Sequence, residues 1–163
     1  MEAQKQMLEA FRFMLKPTSI DYMVNHFLPR VSTVGKLIAI GGMDVNKDNL
    51  TVESYDPRTE KWQILKNMPS NRLQFGAGLY GDKLIIVGGR NGLKTLASCE
   101  DIDLQTMTWK PLATPMSTSR HGLGVAILGD GLYAVGGNDG WSYLNTVERY
   151  DLINKCWGFI TRK

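Results

Sequence analysis

Reactive and metal-binding side chains are scarce in this chain of 163 residues. Its only cysteines are Cys99 and Cys156, and its only histidines are His26 and His121. No Cys-x-x-Cys occurs, and the two histidines stand 95 residues apart, so the ligand set of a metal site is missing. Two cysteines are also too few for a small disulfide-built scaffold, and both are expected to be free thiols. No apolar run approaches the ~18–20 residues that a membrane helix needs, so no membrane role is expected. The opening Met1-Glu2-Ala3-Gln4-Lys5-Gln6 is not patterned as a signal peptide, and the expected compartment is cytoplasmic. Net charge is only +3, with Arg162-Lys163 as the one basic cluster, which gives no footprint for nucleic acid. There is no phosphate loop of the form G-x-x-x-x-G-K-[ST]. Gly76-Ala77-Gly78-Leu79-Tyr80-Gly81 spells G-x-G-x-x-G, but it lies on a strand that runs into the turn Gly81-Asp82-Lys83. A dinucleotide fingerprint would open a helix there. No catalytic residue, metal or cofactor is therefore expected, and the chain is not read as an enzyme.

What the chain has is a stretch that returns. Ala134-Val135-Gly136-Gly137 is followed by Thr146-Val147-Glu148-Arg149-Tyr150-Asp151 and Trp157. Earlier copies read Ile86-Val87-Gly88-Gly89, Glu100-Asp101-Ile102-Asp103, Trp109 and Ala39-Ile40-Gly41-Gly42, Val52-Glu53-Ser54-Tyr55-Asp56, Trp62. The first glycines of the pairs are 47 and 48 residues apart, and so are the tryptophans. Met68 and Met116 keep the 48-residue step, as do Arg72 and Arg120. So many positions in phase mark a repeat protein.

Within one period the apolar runs have strand lengths. Gly124-Val125-Ala126-Ile127-Leu128 ends at Gly129-Asp130-Gly131. Leu132-Tyr133-Ala134-Val135 stops at the glycine pair. Thr146-Val147-Glu148-Arg149-Tyr150 alternates, and Cys156-Trp157-Gly158-Phe159-Ile160 is the fourth run. Four short strands make one antiparallel sheet with two apolar faces. Radial stacking of such sheets buries both faces, which is the β-propeller solution. The fold class is therefore mainly β, a partial propeller of about three four-stranded antiparallel blades. The glycine pairs, the tryptophans and Glu53, Glu100 and Glu148 are read as its frame.

The order Arg, Gly, strand, Gly-Gly, Glu-x-Tyr-Asp, Trp, Met at this period resembles the kelch repeat. Leu73-Gln74-Phe75-Gly76, Arg120-His121-Gly122-Leu123-Gly124 and Gly140-Trp141-Ser142-Tyr143-Leu144-Asn145 resemble the kelch-like proteins, within them the subgroup of kelch-like proteins one, four and five. The resemblance covers residues 31–163, with repeats at 31–69, 70–117 and 118–163. The first is incomplete, its opening strand missing or replaced by Ser32-Thr33-Val34. Residues 1–30 differ in kind. Ala3, Met7, Phe11, Met14 and Leu15 recur at helical spacing up to Pro17, and Ile20, Met23, Val24, Phe27 and Leu28 share a second helical face. One or two short helices are expected here. Residues 7–17 resemble the end of the BACK domain that precedes kelch repeats, followed by a linker.

The resemblance implies a substrate-recognition module of an adaptor for cullin-3 ubiquitin ligases. The alternative is an actin- or cytoskeleton-binding kelch protein without a ligase role. These 163 residues hold no BTB domain, so cullin-3 is expected as a partner only where one is supplied elsewhere. The partner is a protein substrate. In kelch-like proteins, the loops after the glycine pairs and those at the repeat boundaries share one face, where substrate segments bind. The residues expected to bind a partner there are Arg72, Arg90, Arg120, Asn138 and Trp141. Arginine is planar and bidentate toward carboxylates. Trp141 is an aromatic on a loop, a type that binding hot spots favour. Arg72 and Arg120 are also in phase, so a place in the frame is open to them, and Trp141 could instead pack on the adjacent loop. An arc of under three full blades leaves apolar faces and strand edges open, so self-association is expected.

Overall fold

The structure, a computed structural model, describes residues 35–42 and 50–160. The helices expected over 1–30, the stretch 32–34 and the loop after the first glycine pair lie outside those residues. Residues 36–163 form one compact unit, and the described part is built of strands. The first sheet has the order β1 (Leu37–Ile40), β2 (Thr51–Asp56), β3 (Lys61–Asn67). The second runs β4 (Gly76–Tyr80), β5 (Lys83–Val87), β8 (Cys99–Asp103), β9 (Thr108–Pro111). The third runs β10 (Gly124–Leu128), β11 (Gly131–Val135), β12 (Val147–Asp151), β13 (Cys156–Ile160). A two-stranded hairpin, β6 (Arg90–Asn91) with β7 (Lys94–Thr95), stands between β5 and β8. Every pairing is antiparallel, and all join sequential strands except β5 with β8, which are separated by the hairpin. This is the partial propeller that the repeat implies, with two four-stranded blades and a first blade of three described strands.

The repeat phase survives as register. Tyr55 faces Trp62, Ile102 faces Trp109 and Tyr150 faces Trp157 in the three sheets. Two of these tryptophans bolt their blade to the one before. Trp109 Nε1 donates to the Asn67 carbonyl at 2.9 Å, and Trp157 Nε1 donates to the Thr114 carbonyl at 3.1 Å. The acceptors follow Trp62 and Trp109 by five residues each, so the bond itself is periodic.

The core lies between blades. Val52, Leu84 and Ile102 are buried between the first and second. Ile85, Val87, Cys99, Leu132, Ala134 and Tyr150 are buried between the second and third. The middle blade is covered on both faces, so Leu84, Ile85, Ile86 and Val87 are all buried, and β5 reads as an unbroken apolar run. In the third blade Leu132 and Ala134 are buried while Val135 is exposed, so β11 alternates. Burial of one such side chain contributes about 1.5–3 kcal/mol.

Both glycines of each pair have positive φ, from 61° to 125°. In the second and third blades the second glycine of the pair also leaves no room for a side chain, because the boundary segment crosses there. A Cβ on Gly89 would sit 2.8 Å from the Leu73 carbonyl oxygen, and one on Gly137 would sit 2.8 Å from that of His121. The glycines of the G-x-G-x-x-G stretch serve packing. A Cβ on Gly76 would run into the Val125 side chain, and one on Gly78 would be 3.1 Å from Ile127. They let β4 approach β10 of the next blade.

Candidate functional site

Two loop sets meet at one end of the blades. In the second blade the boundary loop pairs with the segment after the glycine pair. Leu73 N–H donates to the Arg90 carbonyl at 2.9 Å, and Arg90 N–H donates back to Leu73 at 2.8 Å. The third blade repeats this between His121 and Asn138, at 2.9 Å both ways. Neighbouring blades are tied at the same end, where Gly122 N–H donates to the Gln74 carbonyl at 2.7 Å. Thr95 Oγ1 also lies 3.1 Å from His121 Nδ1. The opposite end carries the short turns. There Leu104 N–H donates to the Asp82 carbonyl at 2.8 Å, and Leu152 N–H to that of Asp130 at 3.0 Å. Lys83 sits at this opposite end, 3.8 Å from an Asp101 carboxylate oxygen.

The loop 138–143 is shaped by its own side chains. Asn138 Oδ1 accepts from Gly140 N–H at 2.7 Å. Asp139 Oδ1 accepts from the N–H groups of Trp141 and Ser142, both at 2.8 Å. The bonds from Ser142 and then Trp141 hold the Asp139 carboxyl below its ordinary pKa. Gly140 takes φ +107°, and a Cβ there would lie 3.1 Å from Thr95 Oγ1, so this loop rests on the neighbouring hairpin. The turn turns Trp141 and Tyr143 outward, 96% and 91% exposed, and Leu93 at the tip of the β6–β7 hairpin is 99% exposed.

The five residues singled out from the sequence divide here. Arg90 and Asn138 start equivalent loops at this end, and Trp141 projects from it without packing on the adjacent loop. Asn138 also serves as the turn's acceptor. Arg90 is half-buried and has no ion pair among the described residues.

Arg72 and Arg120 are a correction. They are 2% and 0% exposed, and their donors are consumed inside the blades. Arg120 Nη1 donates to the carbonyls of Gly136 and Thr146 at 2.9 and 3.0 Å, and Nη2 donates to Glu148 Oε1 at 2.9 Å. Arg72 makes the same set with Gly88 at 3.0 Å, Ser98 at 2.9 Å and Glu100 at 2.8 Å. Glu148 completes the clip by accepting from the N–H groups of Ser117 and Thr118 at 2.7 and 3.1 Å. Each arginine fastens a boundary loop to the glycine-pair strand of its own blade. Neither can reach the carboxylate of a partner from there. The sequence held a sign of this: Arg72 to Glu100 and Arg120 to Glu148 are both 28 residues apart.

Leu93 and Tyr143, exposed at the same end as Trp141, were not singled out from the sequence. Their signal was a large apolar side chain in a turn at an out-of-phase position.

The profile of the KLHDC2/KLHL20/DRC7 Kelch-repeats domain matches residues 9–163. The chain is 48% identical over 85 residues to human (Homo sapiens) kelch-like protein 4, a stretch that is 52% of this chain and 12% of that protein. It is 50% identical over 85 residues to mouse (Mus musculus) kelch-like protein 1, covering 52% and 11% of the two chains. It is likewise 50% identical over 84 residues to human kelch-like protein 5, covering 51% and 11%. The matched stretch thus spans a small part of these relatives' length.

Proposed function

The chain belongs to the kelch-repeat family, whose repeats are protein-interaction modules, and from that premise we propose that its loop end captures a segment of a protein partner. The observation that carries this reading is the trio Leu93, Trp141 and Tyr143. Three large apolar side chains stand almost wholly in water at the same end of two adjacent blades. Exposed apolar groups gathered in one place mark interaction surfaces, and tryptophan and tyrosine are favoured there as anchors. Arg90, at the base of the hairpin, adds a cation for an acidic group on the segment. In finer terms, the module recognises substrates for a cullin-3 ligase adaptor in the cytoplasm. The similarity to kelch-like proteins 1, 4 and 5 supports that reading, with cullin-3 joined through a BTB domain supplied elsewhere.

The test is affinity capture with the 163-residue chain, followed by variants against whatever is captured. Trp141→Ala with Tyr143→Ala should weaken binding about thirtyfold or more, as loss of a hot spot worth ~2 kcal/mol does. Lys83→Glu, at the opposite end, should leave binding unchanged. The reverse pattern would overturn the loop-end assignment. Capture of actin, with no effect of added cullin-3 and a BTB domain on its ubiquitination, would replace the ligase reading by the cytoskeletal one.

A further inference from the structure

Three Asn-Gly or Asp-Gly steps occur in the sequence: Asn91–Gly92, Asp130–Gly131 and Asp139–Gly140. Such a step has a reaction of its own. The backbone nitrogen of the glycine attacks the side-chain carbonyl carbon before it and closes a succinimide ring. Glycine has no side chain to shield that nitrogen. An asparagine amide is a better electrophile for this closure than an ionised carboxylate, which must first take up a proton.

The structure shuts two of the three steps. The N–H groups of Trp141 and Ser142 keep the Asp139 carboxyl ionised. The Gly140 nitrogen is itself engaged, donating its hydrogen to Asn138 Oδ1 at 2.7 Å. Asp130 is also an acid. It accepts from the Tyr80 hydroxyl at 3.2 Å, and Gly131 is buried at the start of β11.

Asn91–Gly92 is open, and it is the only Asn-Gly step in the sequence. Gly92 and Leu93 make the turn of the β6–β7 hairpin, and residues 91–94 are all exposed. A Cβ on Gly92 would meet nothing within 4 Å, and the Gly92 N–H has no backbone acceptor among the described residues. The fastenings to the other loops stop short of the tip. On one side they end at Arg90, paired with Leu73, and on the other they resume at Thr95, beside His121. The ribbon itself consists of the Arg90–Thr95 and Asn91–Lys94 pairs. A ribbon this short is marginal, so Asn91 is free to turn its amide onto the Gly92 nitrogen.

We propose that the tip of this hairpin is a self-modification site, at which Asn91 deamidates without an enzyme. Gly92 N loses its proton to water and bonds to Asn91 Cγ. The Cγ–Nδ2 bond breaks, and Nδ2 takes a proton from water and leaves as ammonia. Water then opens the imide at either carbonyl, giving aspartate or isoaspartate. No oxidant or reductant is involved. The product places a new carboxylate opposite Lys94 and next to Arg90, neither of which has an ion pair among the described residues. In the isoaspartyl form the main chain gains a carbon, and the register with Lys94 is lost. Arg90 and Leu93 belong to the surface proposed above for a partner segment, so conversion changes what that surface presents. The chemistry itself does not depend on that reading.

The experiment is incubation of the full chain at pH 8, native and in guanidinium chloride, followed by cleavage after lysine and mass spectrometry. The peptide from Leu84 to Lys94 carries the site. From the native chain it should gain the mass of an amide turned to an acid and separate into aspartyl and isoaspartyl products. Conversion should run within a few fold of the rate in denaturant. It should be many fold faster than at Asn145 or Asn154, which are exposed but not followed by glycine. Asn91→Gln, which would have to close a larger ring, should abolish the gain while circular dichroism stays that of the wild type. A native chain that keeps Asn91 intact while the denatured chain converts would show that the hairpin protects the step. Conversion at Asn91 no faster than at Asn145 or Asn154 would show that the turn does not favour it. Either result would overturn the proposal.

Discussion

Arg120 and Glu148 lie 2.9 Å apart with neither side chain reaching solvent. Their partners are the backbone groups of the glycine-pair strand and of the boundary loop. Such a pair is costly to break, because removal of one member leaves the other charged, buried and unpaired. Arg120→Met should destabilise the fold by about 3–5 kcal/mol. Arg90→Met, at a half-buried loop position, should change stability by roughly 0.5 kcal/mol or less. Urea unfolding followed by tryptophan fluorescence measures both. Equal stability of the two variants would show that Arg120 is not a frame residue.

Cys99 and Cys156 should differ sharply as thiols. Burial between blades pushes the Cys99 thiol up to about 12, so no thiolate forms near neutral pH. Cys156 is exposed at the start of β13. A thiol reagent at pH 8 should modify one cysteine per native chain and two per chain in denaturant. Peptide mapping should find the native label on Cys156. Prompt labelling of Cys99 would contradict its place in the core.

The frame was legible in the sequence wherever a residue's role repeats with the blade. The glycine pairs, the tryptophans and the strand order were read from spacing, and the register reproduces them. The same phase reaches details that spacing alone does not display. Glu60, Met107 and Lys155 occupy one repeat position and share φ of 53–57°, which is the left-handed conformation in three equivalent turns. The two arginines were misassigned because a guanidinium that clips a loop and one that awaits a partner are the same residue in a sequence. Their burial depends on where the chain places carbonyls 16 and 26 residues later. Trp141 was legible as an aromatic in a glycine-containing loop. Leu93 and Tyr143 were harder to see, because an apolar side chain is ordinarily assigned to a core. Only the hairpin geometry shows them at its outer tips.

Asp56, Asp103 and Asp151 also share a repeat position, each capping the turn before the last strand of its blade. The N–H of Asn154 first, and then the Arg149 guanidinium, hold the Asp151 carboxyl down at about 2. A depressed pKa means that the ionised form favours the folded state. Its stabilising effect should be complete above the ordinary value of 3.8 and fade as pH falls toward 2. Asp151→Asn should therefore lower the melting temperature at pH 7, and the gap to the wild type should close on acidification to about pH 2. A gap that widens toward low pH would reverse the assignment.

The most direct test of the central claim is an amide-exchange footprint of the chain with and without its captured partner. Binding at the loop end should slow exchange across residues 90–95 and 138–143, where Leu93, Trp141 and Tyr143 project. Residues 80–83 and 103–108, at the other end of the same blades, should exchange as in the free chain. Protection confined to 80–83 and 103–108, with 90–95 and 138–143 unchanged, would contradict the account.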